Sequence, residues 1–249
     1  MRARFLALTA PVVVAATFAP APLLAQDAPK PATIAVDGAP PVPMAVVDAT
    51  RPYMEYRTAA FLDWNPATRG MLISTRFASV PQLHTVASPG MARQQISFEA
   101  EPLAGWYAPN DGTLVVRKDK GGDEFFQLYT LKDGRLTLLT DGKSRNEFNA
   151  FSHDGQWIAY SSTRRNGVDS DLYVVNPRDP ASNRLVAQVK GGGWSVAGFS
   201  PDGKGAVVRE YVSIQKSNLW WLDIASGKLT PIGDHAKPIS YAAADFAAD

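Results

Sequence analysis

Phe199-Ser200-Pro201-Asp202-Gly203 repeats an earlier phrase, Phe151-Ser152-His153-Asp154-Gly155, and a third copy opens at Phe246-Ala247-Ala248-Asp249, the last residue of the sequence. The glycines that close such phrases mark a period. Gly70, Gly112, Gly155 and Gly203 are 42, 43 and 48 residues apart, and a glycine after Asp249 would add 47. A second marker keeps the same step: Leu83 in QLHTV, Leu128 in QLYTL, Leu172 in DLYVV and Leu219 in NLWWL are separated by 45, 44 and 47. Periods in the forties belong to the blades of β-propellers or to helical HEAT and armadillo units.

Local chemistry decides between them. Helical repeats require apolar residues at i, i+3, i+4 and i+7 over ten or more positions. Here the apolar runs are short, β-branched or aromatic, and are cut by Gly, Pro, Asn and Asp, as in TLVVR, QWIAYSS, DLYVVN and GAVVREY. Each repeat holds about four runs, the strand content of one blade; in the third they fall near 145–152, 156–162, 170–175 and 184–190. Asn110-Asp111-Gly112, Asp154-Gly155 and Asp202-Gly203 join first to second strands, while Pro89-Gly90, Asp133-Gly134 and Ser226-Gly227 join third to fourth. Glycine accepts the positive φ of a tight turn, and aspartate bonds its own backbone nearby. The expected fold is all-β: a partial β-propeller of about four four-stranded antiparallel blades, over 57–98, 102–140, 145–190 and 194–232, with the first strand of a fifth in 238–249.

The segment before the blades has a different composition. Arg2 and Arg4 precede FLALTAPVVVAATFAPAPLLA, and no acidic residue occurs before Asp27, which is the pattern of a secretory signal peptide over 1–25. Pro11, Pro20 and Pro22 argue against a membrane-spanning helix there, although an uncleaved anchor is the alternative. Residues 26–50, rich in Pro and Ala, read as an extended leader. These features place the mature chain in the periplasm or outside the cell, free of the membrane once the signal is removed. There is no cysteine, so neither a disulfide framework nor cysteine-ligated zinc is available. Lys+Arg of 25 against Asp+Glu of 24 gives no basic excess for nucleic acid.

Strands of a blade alternate in direction, so the loops between second and third strands share one face with the blade-to-blade connections. That face carries KDKGGDE (118–124), TDGKSRN (140–146) and TRRNGVDS (163–170), and long loops on a rigid scaffold are where binding resides. Its candidates for a substrate or domain interface are Asp123, Glu124, Arg145, Arg164 and Arg165. The arginines are suited to a carboxylate; the competing role is to pair with Asp169 or Asp171 and tie down their own loop, and that is the favoured expectation. Asp123-Glu124 could meet a substrate amine or brace the loop. The six tryptophans are expected in blade packing. Gly193-Trp194-Ser195-Val196-Ala197 resembles a nucleophile elbow, but that elbow needs a strand-to-helix turn, and here it opens a strand. His84, His153 and His235 are too scattered for a triad or a metal site. No catalytic residue, metal or cofactor is assigned.

In register, FSPDGKGAVV and FSHDGQWIAYSS resemble the repeat of the periplasmic Tol–Pal propeller and that of prolyl oligopeptidase family serine peptidases. Asp119-Lys120-Gly121-Gly122-Asp123-Glu124 followed by Gln127-Leu128-Tyr129 is similar to a segment of the peptidase propellers, and LTDGKSRN, STRRNG and SNLWWLD resemble phrases of their exported dipeptidyl or acylaminoacyl peptidase-like members. The likeness covers roughly 51–249. It implies an N-terminal propeller that admits peptides by size to a downstream α/β-hydrolase domain with a Ser-Asp-His triad. No triad residue maps onto this sequence, and no Glu-Glu pair of the dipeptidyl peptidase kind occurs. The expectation is therefore the substrate-gating part of an exported peptidase, halted before its catalytic domain, with peptides and that domain as partners. The alternative is a non-catalytic propeller that docks an envelope protein. A channel enzyme, such as a lactonase or glycosidase, would need repeated acidic or histidine ligands at strand starts, and none are seen.

Overall fold

The computed structural model describes residues 26–246. The expected signal segment 1–25 and residues 247–249 lie outside the described residues. Two compact units divide the chain, the boundary falling between Tyr56 and Arg57.

In the first unit, Asp27 bridges Pro43, and α1 spans Met44–Met54. The extended leader expected over 26–50 is thus corrected in its last part. After Pro43 the stretch Met44-Ala45-Val46-Val47-Asp48-Ala49-Thr50-Arg51 is free of proline, so its i→i−4 ladder can form, and Pro52 falls only in the last turn of the helix. Arg51 pairs with Asp48 at 2.9 Å and Glu55 at 3.8 Å along one helix face. Among the described residues no helix is long and apolar enough to cross a membrane.

The second unit is four antiparallel sheets of four strands, each in simple up-and-down order. Blade 1 holds β1 Ala59–Trp64, β2 Met71–Thr75, β3 Gln82–Val86 and β4 Gln94–Gln95. Blade 2 holds β5 Ala104–Tyr107, β6 Leu114–Lys118, β7 Gln127–Lys132 and β8 Arg135–Leu138. Blade 3 holds β9 Asn146–Phe151, β10 Ile158–Ser162, β11 Asp171–Asn176 and β12 Asp179–Ala187. Blade 4 holds β13 Trp194–Phe199, β14 Gly205–Ser213, β15 Lys216–Asp223 and β16 Leu229–Ile232.

The period-2 alternation of a strand sends successive side chains to opposite sheet faces, and each face becomes part of a different core. Leu72 and Leu83 of blade 1 meet Leu114, Val116 and Leu131 of blade 2. Val115 and Leu128, on the other face of blade 2, meet Ile158, Tyr160, Tyr173 and Val175 of blade 3. Ala159, Leu172 and Val174 then turn the opposite way, toward Trp194, Val196, Val208 and Leu222 of blade 4. Three apolar clusters therefore correspond to three blade interfaces. Covered on both sides, β10 and β11 of blade 3 are buried almost throughout.

Polar bonds and rings join the same interfaces. Asp63 Oδ2 accepts from the Tyr107 amide at 2.8 Å, and Asn149 Oδ1 from the Val196 amide at 3.1 Å. Trp106 stacks on Phe148 with 4.4 Å between centroids. Trp194 is buried in the blade 3–4 core, with Trp157 and Trp220 packed against it, and Trp221 meets Phe246 edge-on. Trp64 is the exception, exposed beside Phe61 on β1.

The repeated phrase is a turn with one hydrogen-bond plan. Ser152 Oγ donates to Asp154 Oδ1 at 2.6 Å and accepts from the Trp157 amide, while Asp154 also accepts from the Gln156 amide. Ser200, Asp202, Lys204 and Gly205 repeat this arrangement. The serine hydroxyl bond is the main reason that Asp154 and Asp202 titrate below the ordinary carboxylate range; Ser226 does the same for Asp223. A carboxyl with a lowered folded pKa contributes stability that is present above its unfolded value, near pH 4, and lost as pH falls through the folded value. Urea midpoints measured from pH 6 to pH 2 should therefore hold down to about pH 4 and decline below it. A midpoint that rises on acidification contradicts this.

Two expected boundaries need correction. The fourth strand of blade 3 begins at Asp179 rather than near 184, because Asn176-Pro177-Arg178-Asp179 is itself a tight turn: the Asn176 side chain accepts from the Arg178 amide, and the Asn176 amide donates to Ser182 Oγ. The opening strand of a fifth blade is not formed over 238–246. That segment instead crosses blade 4: the Ser217 amide donates to the Ile239 carbonyl at 2.9 Å, the Tyr241 amide to Ser217 Oγ, and Arg209 to the Ala242 carbonyl. A first strand pairs with the second strand of its own blade, as β13 does with β14, and among the described residues no such partner stands beside 238–246.

Candidate functional site

Loops 76–81, 119–126, 163–170 and 214–215 connect second to third strands on a common face. In blade 2, the loop from Asp119 to Phe126 turns through Gly121 (φ +66°), Gly122 (φ +77°) and, unusually for a non-glycine residue, Glu124 (φ +61°). The nearly buried Asp119 holds this turn by accepting from the Glu124 amide at 3.0 Å, and the Gly121 amide donates to Glu101. Asp123 accepts from the Phe125 amide at 2.8 Å, and Glu124 pairs with Arg145 at 3.1 Å in an exposed contact. Both acids thus brace the loop, one through the backbone and one through a surface ion pair of small worth.

The 163–170 loop is locked from beneath. Arg165 donates from Nε to Asp171 at 2.6 Å and from Nη2 to Asp171, Asp169 and the Val189 carbonyl. Asp171, whose side chain is fully buried, also accepts from the Val189 amide at 2.9 Å. Arg165 is therefore structural. Arg164 differs: it is exposed, and no carboxylate lies within ion-pairing distance among the described residues.

Two open clefts of about 650 Å³ each lie on this face, and Phe125 lines both. One, between Lys118, Lys120, Asp123 and Tyr129, takes in Asp123. The other, between Arg145, Glu147, Val168, Trp194 and Ser195, lies where blades 3 and 4 meet. Arg117 crosses to Glu147 in an ion pair and lies over the Phe126 ring. The structure thus separates Asp123 from Arg145 while both stay near Phe125. Ser195 lines the second cleft as an ordinary residue of β13, paired with Arg209. Each histidine ring is engaged with a backbone carbonyl: His84 with Gln82, His153 with Phe199 and His235 with Leu219. Among the described residues no cluster of His, Asp and Glu converges to hold a metal ion. The arrangement offers charged, hydroxyl and aromatic groups around two clefts.

The sequence reading missed the apolar part of this face. Phe77, Phe125, Val168 and Ile214, one from each of the four loops, are exposed large apolar side chains, Ile214 at 84 %. Such residues beside a strand look like strand continuations. The only available signal was Val168, which stands alone in a polar loop.

This arrangement defines a β-propeller, and comparisons with known proteins agree on that. No family model matches the chain, and no curated protein matches it. Among solved structures, an oligogalacturonate lyase from Vibrio parahaemolyticus is similar, with TM-score 0.54 and 8% identity over 72% of this chain and 54% of that one. TolB from Acinetobacter baumannii gives 0.50 and 17%, over 72% of this chain and 45% of that one. A prolyl endopeptidase gives 0.52 and 12%, over 72% of this chain and 29% of that one. The chain spans about half the length of the first two and under a third of the third.

Proposed function

We propose that this chain is the propeller portion of an exported serine peptidase of the prolyl oligopeptidase type, working in the periplasm or outside the cell. It screens peptides and steers them toward an α/β-hydrolase domain, which supplies the bond cleavage. The observation that supports this reading is the pair of clefts sharing Phe125. At about 650 Å³ each they fall within the range of roughly 300–1,000 Å³ that holds a small ligand or a few residues of peptide, and they are too small for a folded domain. Their walls combine an aromatic side chain with amide, hydroxyl and charged groups, which suits an extended peptide of mixed sequence.

Fluorescein-labelled hexapeptides containing proline should bind the chain, with anisotropy as the readout. Phe125→Ala, which removes an aromatic contact from both clefts, should weaken binding by about fivefold or more; an unchanged Kd would remove this site from consideration. The coding frame beyond Asp249 separates the peptidase reading from its rival. Further blades followed by G-x-S-x-G and a later Asp and His support the peptidase. A stop after one or two more blades supports a non-catalytic propeller that docks a protein partner, as in the Tol–Pal system. That second reading draws on the four exposed apolar side chains of the loops, since such groups favour contact with another protein.

A further inference from the structure

Blade 1 carries a group of side chains that the clefts do not use. Arg57 precedes β1, Phe77 sits in the β2–β3 loop, and Arg93 precedes β4. They are 20 and 16 residues apart in sequence, yet both guanidiniums lie over one phenyl ring, Arg93 at 4.1 Å and Arg57 at 4.8 Å from its centroid. The ring is steadied at 5.7 Å by the buried imidazole of His84. Both arginines are exposed, and among the described residues neither has a carboxylate within 4.0 Å.

Two uncompensated cations converging on one ring form a local positive focus. A ring face attracts a guanidinium and leaves its N–H edge free for a planar anion. Other cations of the blades are differently placed. Arg117, Lys118, Arg145 and Arg165 are each neutralised by a carboxylate of the chain. Lys120, Lys143 and Arg164 lack such a partner but share no aromatic platform. A polyanion such as nucleic acid would require a track of free cations, and the ion pairs interrupt any such track. The focus suits one or two carboxylates. Exposed Phe77, together with Met91 two residues before Arg93 and 59 % exposed, adds apolar contact.

We propose that Arg57, Phe77 and Arg93 form a carboxylate-reading site for an acidic peptide segment, with glutamate or aspartate bonded to the guanidiniums and its apolar neighbours against Phe77 and Met91. The site lies on blade 1, apart from the clefts lined by Phe125, and stands whether or not the peptidase reading holds.

The test uses the full chain and two fluorescein-labelled, C-terminally amidated hexapeptides, Ala-Leu-Glu-Leu-Glu-Ala and its glutamine counterpart, titrated at low salt. The glutamate peptide should bind about tenfold more tightly or better. That preference should vanish in R57Q/R93Q and persist in R135Q, which alters an exposed arginine at a β7–β8 turn. Circular dichroism checks that the variants keep the fold. A preference near one in the unmodified chain, or one retained in R57Q/R93Q, overturns the proposal. Displacement of the peptide by trigalacturonate or inorganic phosphate at equal or lower concentration also overturns it, in favour of a saccharide or general anion site.

Discussion

Gly155→Ala should lower the thermal midpoint by about 10 °C, corresponding to roughly 3–5 kcal/mol in a unit of this size. Gly155 lies at φ +65°, and a Cβ built there would stand 2.2 Å from the Pro109 carbonyl oxygen of blade 2. That oxygen belongs to the backbone of a packed neighbour and cannot swing aside as a side-chain tip could. The Gly155 carbonyl also accepts from Arg178 at 3.1 Å, and Arg178 forms an ion pair with Asp111, so movement at the turn disturbs a tie between blades 2 and 3. Gly134→Ala isolates the conformational part. Gly134 has φ +72°, but nothing within 4 Å of the added methyl, and its replacement should cost only about 1 kcal/mol. Equal shifts in the two variants would mean that the close approach has no energetic weight.

Asp171→Ala should cost about 3–5 kcal/mol in urea denaturation, because it strips a fully buried carboxylate from Arg165 and from the Val189 amide. Arg165→Ala should be destabilising too, but by less, because the guanidinium is partly exposed and water can reach the site it leaves. The double variant should lose clearly less than the sum, since the second removal takes away a group already orphaned by the first. Additive losses would show that the two groups act separately, and a loss under about 1 kcal/mol for either would reduce the pair to a surface contact.

Most of the fold was legible in sequence because its determinants are local. The Ser-x-Asp-Gly phrase closes its own turn through bonds within a few residues, so it marks each blade without knowledge of the others. Alternation of apolar residues gave strands for the same reason. What stayed hidden depended on partners distant in the chain or on a local exception to composition. Residues 238–246 look like a first strand, yet a ladder needs a second strand beside it. Met44–Met54 lies within a Pro/Ala-rich stretch but is itself almost clear of proline. At the candidate site, the Arg165–Asp171 pair was legible because the residues are six apart. The shared role of Phe125 in two clefts and the meeting of Arg57 with Arg93 arise only when whole blades stack.

The succession of apolar clusters has a mechanical consequence. Among the described residues each apolar cluster joins consecutive blades, so a pull applied across these four blades loads the interfaces in series, like links under tension. Such an assembly resists no more force than its frailest link.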